Sequence, residues 1–457
     1  MALVSSVRRY FRHELLPLLA DLRLAIGLLL VIALLSATGT VIEQDETVAF
    51  YQANYPEHPA LFGFLTWRVI LNLGLDHVYR TPWFLAILIL FGSSLTACSF
   101  TRQWPMLKVA RRWSYFTRPQ SFQRLPFHTH FPQQTLQGIP EQLRQLGYAV
   151  FQEGDRLYAR KGLIGKIGPI LVHVSLLLIL LGAIWGSISG FKAQELIPSG
   201  SIAPIQHLTG AGDLARAHLP TWQIRVNRFW IDYSPEGRIK QFYSDLSILE
   251  QDQEVKRQTI SVNHPLSYQG VTLYQADWSI DSARIRVNNS PSFQIPVVPV
   301  RTETGNKLWG AFVPTKPDLS EGLTLLLPDL QGTGLLYNTD GQWIGSLRQG
   351  MSLALNDQLT LYLDEVIGAT GLQIKSDPGI PWVYLGFGLL MVGVVMSYFS
   401  HSQIWALQTE SGLYLGGKTN RALVTFEREF CWLVEQHLAS PLSSGIPTAA
   451  DWYPKGL

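Results

Sequence analysis

The chain has 457 residues, of which 47% are hydrophobic and 15% charged, and its formal net charge is +2. Soluble domains usually carry about 25% charged residues, so this composition excludes an ordinary soluble protein and predicts a membrane protein with a sizeable polar part. The cysteines, Cys98 and Cys431, are far apart in the sequence. This excludes a disulfide framework, a Cys-X-X-Cys redox motif and a cysteine-based zinc site.

Apolar runs approach the length of about 20 residues that a helix needs to cross a bilayer. The predicted spans are 24–42, 83–100, 167–188 and 381–400. The first run is longer than the apolar core of a secretory signal peptide, so we expect it to stay in the membrane. The remaining segments are a short N-terminus (1–23), a first loop (43–82), a basic loop (101–166), a large domain (189–380) and a C-terminal tail (401–457).

Lysine and arginine are spread unevenly over these segments. They crowd the N-terminus and the 101–166 loop, whereas the first loop contains only Arg68 and Arg80. Because cytoplasmic loops carry the excess of positive charge, we expect the N-terminus, the basic loop and the tail to be cytoplasmic, and the 189–380 domain to lie on the opposite side. The stretch KVARRW is typical of contact with membrane lipid. Without a recognition fold it does not indicate nucleic-acid binding.

The 189–380 domain is predicted to be β-rich, with a sandwich or barrel architecture. Stretches such as TWQIRVNRFWIDY, VTLYQADW and DQLTLYLDEV alternate apolar and polar residues, as half-buried strands do. The domain contains no nucleophile elbow, zinc-protease motif or phosphate-binding loop. Its histidines, His207, His218 and His264, have no histidine or cysteine companion at metal-ligand spacing. We therefore predict no catalytic residue and favour a binding or scaffolding surface.

The cytoplasmic segments also show local patterns. Residues 139–162 (IPEQLRQLGYAVFQEGDRLYARKG) predict a short helix followed by a hairpin. The stretch SGLYLGGKTNRALVTFEREFCWLVEQHL in the tail predicts a strand pair followed by an amphipathic helix.

His173 lies inside the third apolar run, in KIGPILVHVSLLLILLGAIWG. An ionisable side chain in a span costs a few kcal/mol on insertion scales, so we expect it to face protein and not lipid. Three roles fit: a neutral imidazole bonded to a neighbouring helix, a proton relay, or an axial ligand to haem iron. The helical rise places His173 about 9 Å from the cytoplasmic end of its predicted span.

Two further features bear on this histidine. Gly182 and Gly186 have GxxxG spacing, which predicts that one face of the span packs closely on another helix. The other candidates, His58, His77 and His401, lie outside the predicted spans. If His173 binds haem, a second ligand must therefore come from another protein.

Stretches along nearly the whole chain point to one family. They are LRLAIGLLLVIALLSATGTVIEQ in the first span, GLDHVYRTPWF before the second, ILVHVSLLLILLGAIWG in the third, VNHPLSYQGVTLYQADW in the large domain and SHSQIWAL after the fourth. In this order and with this topology, the chain resembles the ResB/CcsB cytochrome c biogenesis proteins of the System II pathway. It is most similar to their cyanobacterial and plastid branch.

The resemblance implies a function at the haem delivery and attachment step of c-type cytochrome biogenesis. The partner would be the membrane protein CcsA (ResC), which carries a tryptophan-rich haem-handling motif. Together they would move haem across the membrane, keep it reduced and present it to apocytochromes c, namely cytochrome f and soluble c-type cytochromes. The implied location is the thylakoid membrane, with the large domain in the lumen or periplasm.

The resemblance also assigns roles within this chain. His173 becomes the candidate axial ligand of a transiently bound haem iron, with a CcsA histidine as the other ligand. The chain would be a non-catalytic subunit of a haem-attachment complex. Two alternatives are a membrane-anchored scaffold that holds apocytochrome without binding haem, and a quinone-linked cytochrome b subunit. The latter normally pairs histidines across a helix bundle, a pattern that this sequence does not show.

Overall fold

The computed structural model describes residues 11–301, 307–315, 321–356 and 359–438. The first part of the predicted N-terminus (1–10) and the last part of the tail (439–457) lie outside the described residues. The chain divides into two compact units. The helical unit comprises Met1–Thr38, Thr81–Ile184 and Ile380–Leu457, and the β unit comprises Gly39–Arg80 and Trp185–Gly379.

Most helices precede Phe191 or follow Ser376, and the strands between these two residues are nearly continuous. The α-helices are α1 Leu16–Leu19, α2 Leu22–Val41, α3 Val48–Asn54, α4 Trp67–Leu73, α5 Pro82–Cys98, α6 Trp104–Arg111, α7 Ile139–Gln145, α8 Ile164–Ser189, α9 Asp213–Ala217, α10 Ile380–Tyr398 and α11 Leu423–Leu438. The strands are β1 Phe127–Phe131, β2 Ala149–Glu153, β3 Arg156–Lys161, β4 Phe191–Pro198, β5 Ile202–Ala203, β6 Leu208–Ala211, β7 Gln223–Tyr233, β8 Ile239–Glu250, β9 Gln253–Ser261, β10 Leu266–Tyr268, β11 Val271–Val287, β12 Phe293–Pro296, β13 Val298–Arg301, β14 Lys307–Pro314, β15 Gly322–Leu327, β16 Thr333–Tyr337, β17 Trp343–Arg348, β18 Met351–Asn356, β19 Leu359–Ser376, β20 Ser402–Thr409 and β21 Gly412–Thr419.

Within the described residues, four helical segments are long and apolar enough to cross a bilayer: α2, α5 with its continuation to Arg111, α8 and α10. This confirms the four membrane helices expected from the sequence. The second segment starts sharply, because the Thr81 side chain accepts a hydrogen bond from the Phe84 amide and Pro82 occupies the first turn. A π-helical turn, Ser99–Gln103, joins α5 to α6, so the helix continues past the predicted end of the span.

The helical unit also contains a five-stranded antiparallel sheet in the order β1-β21-β20-β3-β2. The basic loop supplies β1, β2 and β3, and the tail supplies β20 and β21. The predicted helix and hairpin of residues 139–162 are confirmed by α7 and by the pairing of β2 with β3. The predicted tail helix is α11, but the strand that pairs with β21 is β20, which precedes the quoted stretch. Helices α7 and α11 cover the sheet through a shared core that includes Leu143, Phe426 and Phe430.

The described residues of the β unit form three antiparallel sheets, which confirms the β-rich prediction. One has seven strands along the path β10-β11-β19-β4-β6, with β12 added to β11 and β18 to β19; the others are β13-β14-β15-β16-β17 and β5-β7-β8-β9. The strands β11 and β19 pair along most of their length and contribute to two cores. Leu273 lies in a core shared with the four-stranded sheet, and Ile285 lies in a core shared with the five-stranded sheet. The unit is therefore two sandwiches built on one long sheet.

Candidate functional site

His173 lies in α8, nine residues after Ile164, the first residue of the helix. The helix begins three residues before the predicted span, so the rise from its start to His173 is about 13 Å. The side chain is half-buried and it points at the neighbouring helix. The expectation that this imidazole faces protein is therefore met within the chain itself.

Two groups of the second membrane helix hold the Nδ1 atom of His173. The Ser99 hydroxyl lies 3.0 Å from Nδ1, and the Leu95 carbonyl lies 3.4 Å from it. The Ser99 hydroxyl also donates to the Leu95 carbonyl at 2.8 Å. A hydroxyl has a single proton to donate and a carbonyl can only accept, so the assignment that satisfies all three contacts has Nδ1 as the donor. In this tautomer Nε2 carries the free lone pair.

This tautomer is the one that suits a metal ligand. Metal-ligating histidines usually donate the N–H that does not face the metal to an oxygen, which fixes the ring orientation and the tautomer. Among the residues that the structure describes, no hydrogen bond is formed by Nε2 of His173. The π-helical turn that begins at Ser99 is also at the point of contact, and such turns are frequent at functional sites.

The contact with Ser99 is part of a regular antiparallel seam between α8 and the second membrane helix. A Cβ atom at Gly92 would lie 3.6 Å from Leu180. Ser99 meets His173, and Met106 Sδ lies 4.0 Å from the Lys166 ammonium. Each step of seven residues on one helix is matched by seven on the other, as in left-handed helix packing. We call this arrangement the α5–α8 seam.

A second face of α8 packs on α10 through small residues. A Cβ atom at Gly386 would lie 2.6 Å from the Ile179 side chain, and one at Gly393 would lie 3.0 Å from the Val172 backbone nitrogen. The predicted close packing on a helix is therefore satisfied within the chain, by α10. Of the predicted GxxxG pair, Gly182 is buried, whereas a Cβ atom at Gly186 would meet the side chain of Asp377, which precedes α10.

The other histidines that the sequence raised have different surroundings. His77 pairs with Asp76 at 2.9 Å, and His58 is exposed. His401 is 5% exposed; its Nδ1 lies 3.2 Å from the Lys161 carbonyl, and its buried Nε2 has no partner in the described part of the chain. Burial lowers the pKa of His401, and the ring is not accessible to a ligand.

Sequence reasoning missed a carboxylate–imidazole pair in the β unit. Glu195 on β4 is 4% exposed and accepts hydrogen bonds from the Gln206 amide at 2.6 Å and the His207 amide at 2.7 Å. It also contacts Nδ1 of His207 at 2.6 Å. The hydrogen bond to Glu195 raises the pKa of His207. A search for histidine or cysteine companions alone could not find it, because the partner is an acid on a neighbouring strand.

No cluster of three or more histidine, cysteine, aspartate or glutamate side chains that could bind a metal is present in the described ranges. A haem needs only one side chain on each axial position. In α8, Nε2 of His173 has the chemistry for one such position, because Nδ1 is held by Ser99.

Four candidate membrane helices and a unit of antiparallel sheets define a polytopic membrane protein with a large β-rich domain. A family described as "ResB-like family" matches residues 22–311 and 300–431. The chain belongs to this ResB-like family.

Individual relatives cover almost all of the chain. It is 84% identical over 456 residues to the "Cytochrome c biogenesis protein CcsB" of Synechococcus sp. (strain JA-2-3B'a(2-13)), covering 98% of this chain and 97% of the relative. It is 58% identical over 441 residues to the protein of the same name from Thermosynechococcus vestitus (strain NIES-2133 / IAM M-273 / BP-1), with 96% and 98% covered. It is 55% identical over 446 residues to that of Trichormus variabilis (strain ATCC 29413 / PCC 7937), with 97% and 95% covered.

Proposed function

We propose that this chain acts in c-type cytochrome biogenesis, at the step where haem is delivered to apocytochrome c. The relatives named for cytochrome c biogenesis support the process. The orientation of His173 supports the step, because Nδ1 is held by Ser99 and Nε2 is left with a lone pair for iron. In this proposal haem is a transiently bound substrate that the chain transfers to the apocytochrome.

The chain's own residues would position the haem. Nε2 of His173 supplies one axial ligand, while Ser99 and the Leu95 carbonyl fix the ring. The second ligand would come from a CcsA protein, since the described residues do not provide one on the same seam. The axial ligands would set the reduction potential of the haem iron.

The β unit would present haem to the apocytochrome. Joining haem to a pair of cysteines requires that the reacting groups be held in the correct positions. A double sandwich on a continuous sheet is a rigid platform for this task. We place this unit on the lumenal side of a thylakoid membrane, following the distribution of basic residues, with cytochrome f and soluble c-type cytochromes as clients.

A second candidate function is a scaffold that holds apocytochrome without binding haem, which the size of the β unit also suits. Spectra of CcsA purified with and without this chain separate the two functions. Haem delivery predicts that the haem content per CcsA falls severalfold when this chain is absent. If CcsA alone carries the same amount of haem while cytochrome c maturation still depends on this chain, the scaffold function is correct.

A further inference from the structure

A small cavity lies at the end of the α5–α8 seam that is nearest to the start of α8. Its volume is about 100 Å³, which is enough for a polar group of a larger molecule. The walls include Gln103, Lys166, Pro169, Ser397, Asn420 and Arg421.

The cavity is positively charged. Lys166 and Arg421 line it, and no aspartate or glutamate of the described residues does so. The Arg421 guanidinium donates through Nη1 to the Ser397 carbonyl at 2.6 Å, which orients it and leaves other N–H donors available. Two cations that share a partly enclosed space favour an anion there, and an oxyanion accepts charge-assisted hydrogen bonds from both.

A neutral amide also lies in the cavity wall, that of Gln103. Its oxygen is buried without a hydrogen-bond partner in the described part of the chain. Rotation of this amide by half a turn exchanges its oxygen and its NH₂ group, and Gln103 then offers a donor beside the two cations.

The cavity lies at the surface of the membrane region. Lys166 is in the first turn of α8, and Ser397 is next to the last residue of α10. An anion at this level belongs either to a lipid headgroup or to another amphiphile whose apolar part lies between the helices. The two sources share one chemistry, a carboxylate or phosphate oxygen.

The geometry of α8 connects the cavity with the membrane histidine. Lys166, Pro169 and His173 follow each other at spacings of three and four residues, which places them on one face of the helix. Seven residues separate Lys166 from His173, a rise of about 10 Å. A haem carries its two propionate carboxylates on one edge of an apolar ring, so it can present an anion on the same helix face as its iron.

We propose that Lys166 and Arg421 bind a propionate carboxylate of the haem whose iron is held by His173. This rests on the proposed function and deepens it, because it names the part of the cargo that the cavity recognises. It also gives haem a defined orientation at the seam, with the propionate edge toward the start of α8.

The test compares haem with haem dimethyl ester, in which both propionates are neutral. Binding of each is titrated to the full-length chain purified with CcsA, as wild type, as Lys166→Gln/Arg421→Gln, and as His173→Ala. We expect wild type to bind haem about tenfold more tightly than the ester, and the double variant to bind the two equally. Lys108→Gln, which changes a nearby exposed cation outside the cavity, should keep the wild-type preference. Lys166→Arg should keep it as well, which controls for folding.

The outcomes are distinguishable. If haem and ester bind equally to wild type, and both are lost in His173→Ala, the propionate assignment is wrong and the proposed function stands. If wild type binds neither form, or if His173→Ala binds both normally, the proposed function fails and this inference fails with it. If mass spectrometry finds an anionic lipid that copurifies with wild type and is lost from the double variant, while haem and ester bind alike, the anion is a lipid headgroup and the inference is overturned.

Discussion

Two histidines, one in each unit, have the same local arrangement with different partners. Nδ1 of His173 is held by the hydroxyl of Ser99, and Nδ1 of His207 by the buried carboxylate of Glu195. A hydroxyl orients an imidazole without adding charge. A carboxylate also stabilises the imidazolium, and it raises the pKa of His207. The first arrangement suits donation of a lone pair to a metal, and the second suits retention of a proton.

The largest effect should come from disturbing the helix packing that holds His173. At Gly386 even an added Cβ atom would lie 2.6 Å from the Ile179 side chain, so Gly386→Leu overpacks this contact. Overpacking of this kind costs about 1–3 kcal/mol or more. We expect a severalfold lower yield of folded protein and a lower Tm. Gly388→Leu on the same helix is the control, because nothing lies within 4 Å of a Cβ atom there. Equal loss in both variants would contradict the close approach of α8 and α10.

The buried carboxylate of Glu195 should stabilise the β unit, although its partner His207 is exposed. Glu195→Gln keeps one oxygen for the amides of Gln206 and His207. It replaces the oxygen that contacts Nδ1 of His207 with an NH₂ group, and loss of this charge-assisted hydrogen bond costs about 1 kcal/mol. Differential scanning fluorimetry of the full chain measures the change in Tm. Gln194→Glu, at the neighbouring position, should have little effect. An unchanged Tm in Glu195→Gln would show that the carboxylate does not stabilise this strand pair.

Ser99 is a positioning residue for His173, because its hydroxyl lies 3.0 Å from Nδ1. Ser99→Ala removes the acceptor of the Nδ1 proton, and loss of such an outer partner typically weakens metal affinity 10–100-fold. We expect haem affinity to fall about tenfold, with a shifted haem spectrum. Ser93→Ala is matched to it, because the Ser93 hydroxyl also bonds to its own helix. If Ser99→Ala and wild type bind haem equally, Ser99 does not fix the tautomer of His173.

The smallest effect is the pH dependence of the pair between Glu195 and His207. Because the folded pKa of His207 is raised above 6.5, the pair stabilises the fold fully below pH 6.5, and this contribution is lost as the pH rises through the raised pKa. The side chain of His207 is 76% exposed, so solvent keeps the effect small. The Tm difference between wild type and His207→Gln should therefore be larger at pH 5.5 than at pH 8.5. A Tm difference that grows with pH would contradict a raised pKa of His207.

The sequence was sufficient to predict the fold class, because bilayer thickness and strand alternation act on local residue patterns. It did not predict that the basic loop and the tail form one sheet. Phe127 pairs with Gly417, and such distant pairings are set by tertiary packing that no local pattern records. Hydropathy also placed the end of the second span near Phe100, since it detects the apolar stretch and not the helix that continues to Arg111.

The candidate site was predictable only in part. The sequence shows a histidine in an apolar run, and the cost of burying an imidazole in the membrane predicts that it bonds to another polar group. That the partner is Ser99 depends on the register of two antiparallel helices, and Glu195 meets His207 next to an irregularity in the pairing of β4 with β6. Both contacts therefore required the structure.

The haem spectrum of this chain purified with CcsA, compared between wild type and His173→Ala, shows whether His173 ligates the haem iron. We expect a haem absorption band in wild type, its loss in His173→Ala, and its recovery when imidazole is added to replace the missing side chain. Unchanged haem content in His173→Ala, with normal cytochrome c maturation, would contradict the assignment of His173 as the haem ligand.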